Sequence, residues 1–206
     1  MTHNGRLSGS STWDVRTISV KIPPLSESLR AYFAGDGVLP LPKLISKVDA
    51  RLLAGAVREL PAKRVTVGGS GPCWDEQQIG DESELVRLFT SEEIFRLLEC
   101  VVGLSKVSNF RLKCWISRYR EGEYIPQHND AAGTVHIILC LERRHVSGGG
   151  ELFIKSPGGT YRLMLESGDA VLFDAARLKH WTTPLAPCNT VRARPTRVVA
   201  VARIFI

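Results

Sequence analysis

The sequence predicts an α+β chain that is mainly β, a barrel or jelly roll in its C-terminal half buttressed by helices from its N-terminal half. Three observations lead there. Helical periodicity with capping signals is confined to the first hundred or so residues. From about residue 109 the texture changes to short alternating or apolar runs, and turn residues punctuate those runs at close spacing. At 206 residues the chain has the size of one domain and can bury a core unaided.

The elements follow in order. Residues 1–12, polar and including the Ser/Gly-rich "RLSGSST", read as a disordered tail, which leaves 13–206 as a single domain. "VRTISVKI" (Val15 to Ile22) alternates in part with period two and is expected to be a strand. Ser46 followed by Asp49 resembles a capping box ahead of "ARLLAGAVREL", whose helix places Leu52, Leu53, Ala56 and Val57 on one face. Thr90 followed by Glu93 does the same for "EEIFRLLECVVGL", where Ile94, Leu97, Leu98 and Val101 form an apolar stripe and Gly103 a stop. Both stripes suit core contacts. "NFRLKCWISRYR" then sets Phe110, Leu112, Cys114 and Ile116 against Arg111, Lys113, Trp115, Ser117 and Tyr119. Its even face is apolar enough to pack on the helices. Its odd face carries two cations, a tryptophan and a tyrosine, which belong inside a barrel only if something polar is held there; otherwise they point to water. A strand beginning near Thr134 follows, and "GGGELFI" leads into another. "SPGG" turns, "TYRLML" continues, "ESGD" turns again, "AVLFD" returns, and "TRVVAVARIFI" closes the chain.

Composition removes several function classes. The 44% hydrophobic and 23% charged content is that of a water-soluble globular protein. No apolar run approaches the roughly 20 residues that span a bilayer, so no membrane association is expected. The polar start has no apolar segment behind a basic cluster and does not read as a secretory signal. The five cysteines (Cys73, Cys100, Cys114, Cys140, Cys188) are odd in number, with no C-x-x-C pair. That argues against a disulfide framework or a thiolate zinc site and suits a reducing, cytoplasmic setting. The net charge of +6 is partly local, since Arg192, Arg194, Arg197 and Arg203 crowd the last fifteen residues. Such a surface attracts nucleic acid, a small dianion or an acidic carrier, and is equally an ordinary solvated face, so charge alone selects no partner.

One stretch carries chemistry. In "EYIPQHNDAAGTVHIILCLE", His128 and Asp130 stand two residues apart at the entrance to the apolar run Val135 to Leu141. In an extended chain residues i and i+2 share a face about 6–7 Å apart, so the two can converge on one ion. An imidazole and a carboxylate suit a borderline divalent metal, and a third ligand is needed to hold it. Of the other histidines, His3 falls in the tail and His145 in the polar loop "ERRHVSGGG". His136 has the parity of His128 but lies eight residues on. His180 follows "AVLFDAARLK", 50 residues after Asp130, far enough for a sheet to go out and return. Two histidines and one carboxylate on one face of an iron leave open positions, the arrangement of non-haem Fe(II) oxygenases.

"RYREGEYIPQHND", "GGGELFI", "SGDAVLF", "HWTTPL" and "TRVVAVARIFI" resemble, in order, the successive motifs of Fe(II)/2-oxoglutarate-dependent dioxygenases, in particular the prolyl 4-hydroxylase-like branch. The resemblance covers about residues 109–206 and, more faintly, "VLPLPKLISKVDARLLAGAV". It implies a double-stranded β-helix (jelly-roll) core with the metal in its mouth, and His128, Asp130 and His180 match the facial triad. Tyr119 matches a tyrosine that contacts the cosubstrate carboxylate. Arg197 matches the basic residue that anchors the far carboxylate of 2-oxoglutarate, a task suited to a planar guanidinium fork. Here the chain departs from the pattern: Arg197 follows His180 by 17 positions, further than is usual. Arg192 and Arg194 in the intervening "APCNTVRARPT" are therefore rivals. Arg197 is preferred because an uninterrupted apolar strand follows it, while Pro195 disfavours a ladder position for Arg194.

The resemblance implies Fe(II), 2-oxoglutarate and O₂ as cofactor and cosubstrates, succinate and CO₂ as products, and hydroxylation, or desaturation or ring closure, of an unactivated C–H bond. Asp130 matters to that outcome, because related halogenases carry a small residue in its place. Trp115, Lys113 and Arg111 share the face of Tyr119, and Gln127 and Trp181 adjoin metal ligands, so these five are candidate substrate contacts. The expected substrate is a small amino-acid-like or natural-product molecule, with a prolyl-type peptide next. Nucleic-acid demethylation ranks lower, because no aromatic and basic cluster suits a flipped base. A non-catalytic binding barrel, or a cupin-like enzyme without 2-oxoglutarate, completes the alternatives.

Overall fold

The computed structural model describes residues 18–103, 111–130, 134–187 and 194–205. Before residue 104 the chain forms α1 (Glu27–Asp36), β1 (Val38–Leu41), α2 (Lys47–Arg58), β2 (Lys63–Thr66), β3 (Cys73–Gln78), α3 (Glu84–Phe89) and α4 (Glu92–Val102). Seven strands follow: β4 (Arg111–Arg120), β5 (Thr134–Arg144), β6 (Leu152–Ser156), β7 (Gly159–Leu163), β8 (Ala170–Phe173), β9 (Lys179–Thr182) and β10 (Thr196–Phe205). They build a major antiparallel sheet in the order β1-β8-β5-β10-β4-β3-β2 and a minor sheet in the order β7-β6-β9. The major sheet thus recruits β1 at one edge and β2–β3 at the other, from ahead of the expected start of the β core near residue 109.

Alternation along the central strands makes this sheet the wall between two cores. One face presents Cys114, Ile116, Ile137, Leu139, Leu172, Ala200, Ala202 and Ile204 to the helices. The other presents Tyr119, Cys140, Val171, Phe173, Val199 and Val201 to Leu152 and Ile154 of the minor sheet. A bulge where β5 passes Val198/Val199 inserts Leu141 and reverses the parity of β5 beyond it.

The helices obey their caps with two corrections. Ser46 caps α2, its hydroxyl accepting from Asp49 N–H, as expected. The buried face of α2 is, however, Ala50, Leu53, Ala54 and Val57, while Ala56 is exposed and Leu52 is 57% exposed. For α4 the cap is Ser91 and not Thr90, which instead closes α3. Its stripe of Ile94, Leu97, Leu98 and Val101 is buried throughout, at the i, i+3, i+4, i+7 spacing of one helical face. The expected strand Val15 to Ile22 begins outside the described residues, and its described part forms no strand. Ile18, Val20 and Ile22 pack on the helical core while Lys21 N–H donates to Leu44 O at 2.8 Å. The N-terminal tail, His3, Cys188 and Arg192 also lie outside the described residues. Among the described residues no helix is long and apolar enough to cross a membrane.

Candidate metal centre

The backbone brings the two histidines together. His128 lies opposite His180 at the start of β9, and each N–H donates to the other's carbonyl at 3.0 Å. Directly opposed residues of an antiparallel pair project to the same side. Their rings accordingly sit 4.2 Å apart, centroid to centroid. Asp130 is fixed two residues on by its own N–H, which donates to Ala175 O at 3.0 Å. The ligating atoms of His128, Asp130 and His180 lie within 4.8 Å of one another.

Hydrogen bonding settles which nitrogens are available. His128 Nδ1 lies 2.9 Å from Pro126 O, and His180 Nδ1 lies 3.0 Å from Leu178 O. A carbonyl only accepts, so each Nδ1 carries the proton and each Nε2 presents a lone pair, the tautomer that metal-bound histidines adopt. Burial and the neighbouring His180 hold His128 below its ordinary pKa and favour the neutral ring. Asp130 is half-buried, and its buried Oδ2 has no hydrogen-bond partner although His180 Nε2 stands 3.3 Å away. Two donor atoms each about 2.0–2.2 Å from one ion, roughly at right angles, are about 3 Å apart. A lone pair facing an orphaned carboxylate oxygen at this distance is repulsive without a cation and attractive with one. Burial would raise the Asp130 pKa, but His180, His136 and Arg203 outweigh it and hold the carboxyl down at about 2. The donor set fits a divalent metal.

A second unmet group shares the cavity. Arg197 is 2% exposed, its Nε has no hydrogen-bond partner, and no carboxylate of the described residues pairs with it. It lies opposite Tyr119 in the β10–β4 register, its guanidinium 5.4 Å from the centre of the Tyr119 ring. Burial pushes the Tyr119 phenol up to about 12, so it stays a neutral donor. A buried guanidinium beside a phenol O–H is the chemistry that receives a carboxylate.

The other sequence-predicted residues divide. Trp115 and Trp181 line the cavity with the triad, Tyr119 and Arg197, and Trp181 stacks on Phe153 at 5.3 Å. Arg111 and Lys113 are exposed and lie against the Phe205 ring outside the cavity. The basic end of the odd face is therefore solvated, because β4 runs out past the cavity there. Gln127 is exposed in a bend and does not line the cavity. Arg194 is exposed, in a groove with Arg118 and Arg120 that reaches Tyr119 and Arg197 but none of the triad. His145 is exposed. Sequence reasoning gave little weight to His136 and overlooked Arg203, although Arg203 has the parity of Arg197 and its charge interrupts an apolar strand.

No protein-family model and no curated protein matches the sequence. The structure is similar to a prolyl-4-hydroxylase from Pseudomonas putida, with a TM-score of 0.67 and 16% identity, covering 87% of this chain and 97% of that one. It is similar to an oxidoreductase of the 2OG-Fe(II) oxygenase family from Burkholderia pseudomallei, with a TM-score of 0.70 and 16% identity over 91% of this chain and 93% of that one. HygX from Streptomyces hygroscopicus, with nickel and 2-oxoglutarate bound, gives a TM-score of 0.69 at 12% identity, covering 88% of this chain and 87% of that one; it is also known with hygromycin B bound. The chain has the jelly-roll fold of these proteins.

Proposed function

We propose that the protein is an Fe(II)- and 2-oxoglutarate-dependent oxygenase that uses O₂ to hydroxylate an unactivated C–H bond of a small amino-acid-like or natural-product substrate. The observation that carries this reading is the presence, in one cavity, of a three-residue metal donor set with an orphaned carboxylate oxygen and a buried guanidinium that has no counter-ion among the described residues. A barrel that merely bound a ligand would have no need to bury both. When bound, iron and 2-oxoglutarate supply the oxidising chemistry, with 2-oxoglutarate leaving as succinate and CO₂.

The chain's own residues do the positioning. His128, Asp130 and His180 hold the ion; Arg197 holds the far carboxylate of 2-oxoglutarate, with the Tyr119 phenol donating beside it. With Arg111 and Lys113 outside the cavity, the remaining wall is largely apolar and aromatic, with Trp115, Trp181, Ile125 and Ile138. Such a wall orients a hydrocarbon or ring face and keeps water from the reacting bond. The similar structures support both a natural-product reading, through HygX with hygromycin B, and a prolyl-type peptide reading, through the Pseudomonas enzyme.

The test is succinate formation from 2-oxoglutarate by Fe(II)-loaded protein under O₂, with panels of amino acids, cyclic natural products, proline-containing peptides and methylated oligonucleotides, beside Asp130→Ala. Turnover stimulated by one substrate class and lost in the variant is expected. Folded, iron-loaded protein that makes no succinate with any of them would refute the oxygenase.

A further inference from the structure

A third histidine stands beside the triad but outside its donor cluster, and one side chain keeps it occupied. His136 in β5 is buried, and its Nε2 lies only 3.5 Å from Asp130 Oδ2. Its direct cross-strand partner in β10 is Arg203. Arg203 Nε donates to His136 Nε2 at 2.9 Å, while its Nη2 donates to Asp130 Oδ1. Its guanidinium stands 5.2 Å from the centre of the Trp115 ring, which braces the fork from the cavity side. A guanidinium has no acceptor, so the His136 Nε2 in that bond carries its lone pair toward Arg203.

Resting on the metal site proposed above, we infer that Arg203 is a positioning residue that selects the metal's ligand atoms. By holding Asp130 Oδ1 it leaves Oδ2 as the one carboxylate oxygen facing the two Nε2 atoms. By taking the His136 lone pair it keeps a fourth protein ligand off the ion, so that open positions remain for exchangeable ligands. Charge neutralisation alone does not account for the arrangement: the planar fork gives the imidazole and the carboxylate separate nitrogens at a fixed spacing, which the flexible ammonium of a lysine does not.

The test uses copper(II) as the probe, because it binds nitrogen and oxygen donors tightly and its pulsed EPR spectrum counts coordinated imidazoles. Wild-type protein is expected to show two. Arg203→Met is expected to show three, as His136 turns its freed lone pair to the ion, and Arg203→Met/His136→Phe to return to two. The double variant, which loses orientation and gains no ligand, should bind copper about 10–100-fold more weakly than wild type, the usual effect of removing a group that orients a metal ligand. Two imidazoles in Arg203→Met, with wild-type affinity in the double variant, would overturn the inference and leave the metal site intact. Fewer than two in wild type would sink the metal site itself. Should Arg203→Met fail to fold, Arg203→Gln serves: its amide nitrogen stands at the chain position of Nε and keeps His136 occupied but leaves Asp130 Oδ1 unheld, so the imidazole count stays at two and the affinity falls. An unchanged affinity would overturn the inference.

Discussion

Replacing Arg197 by methionine should make the ligand-free protein more stable while abolishing its response to 2-oxoglutarate. Arg197 is 2% exposed, with an unpaired Nε and no carboxylate partner among the described residues. An uncompensated buried charge costs several kcal/mol, and exchanging buried ionic groups for apolar ones of similar volume often stabilises by about 1–4 kcal/mol. Against that, the Tyr119 ring 5.4 Å from the guanidinium returns about 0.5–2 kcal/mol. The net gain is then about 1–2 kcal/mol, or a rise in Tm of about 2–8 °C for a chain of this size. Ligand reverses the comparison. At 2-oxoglutarate 100 times its Kd, wild type gains about 2.7 kcal/mol. Removing one partner of a buried ion pair costs about 3–5 kcal/mol, so the variant binds at least about a hundredfold more weakly. The same ligand concentration then gives it no more than about 0.4 kcal/mol. Calorimetry with and without 2-oxoglutarate, the site loaded with nickel to prevent turnover, reads both quantities. A variant less stable than wild type without ligand, yet equally stabilised by it, would refute the reasoning, because Arg197 would then be paired within the fold and uninvolved in the anion.

Other consequences are read by similar means. Nickel(II) should raise the Tm of wild type and leave Asp130→Ala unmoved, since Oδ2 is the one anionic donor of the set; an equal rise in both would place the ion elsewhere. Acid should destabilise the metal-free protein in two stages. Burial, the largest influence on His136, holds it at about 3 against an ordinary 6.5. The unfolded chain therefore takes up that proton first, and stability falls as pH drops from about 6.5 toward 3. Asp130, held at about 2 against 3.8, adds a loss between about pH 4 and 2. In Tm measured against pH, His136→Phe should make the first stage shallower, with His128 keeping part of it, and should also shrink the second, because His136 helps hold the Asp130 carboxyl down. Gly149→Ala should cost about 2–5 kcal/mol, because φ is +74° there and an added Cβ would meet the Pro184 carbonyl oxygen at 1.9 Å. Gly148→Ala, whose Cβ finds only the Ala186 Cβ at 3.8 Å, should cost under about 0.5 kcal/mol, and denaturant melts of the pair give the contrast.

What was legible in the sequence is what local physics decides. The α4 stripe repeats at helical spacing with large apolar side chains, and all four of its residues are buried. The α2 face was misread because it packs against β5 through Ala50 and Ala54, small residues that permit close approach, while the larger Leu52 stays outside. Hydrophobic pattern weights bulk, and helix-on-sheet contact also selects for its absence. The strands β1 to β3 carry almost no signal of their own. β1 contains Pro40, tolerated because it lies on an edge strand, and β2 is mostly exposed. Such segments become strands only because β8 and β4 offer them partners, which no local window contains. The triad was legible because a two-residue spacing in extended chain is local; the His128–His180 pairing depended on the order of the elements between.

The proposed anchor, Arg197, shows why spacing along the chain is a poor guide in this region. Arg197 stands 17 residues after His180, and that length put its position in doubt against Arg192 and Arg194. Loop length, however, fixes only how far a chain can reach. What aims a side chain is register: β10 pairs with β4 on one side and β5 on the other, setting Arg197 opposite Tyr119 and Arg203 opposite His136. Slipping β10 by one residue would turn both arginines onto the helical core, and would carry Val198, Ala200 and Ala202 off it into the cavity. Burying two guanidiniums among Leu97 and Ile116 would cost many kcal/mol, so the apolar pattern that holds the strand in place also aims its two charges. Extra residues ahead of β10 leave that constraint untouched. Arg197 and Arg203, six residues apart on one strand face, are therefore placed together, one beside Tyr119 and the other bonded to His136 and Asp130.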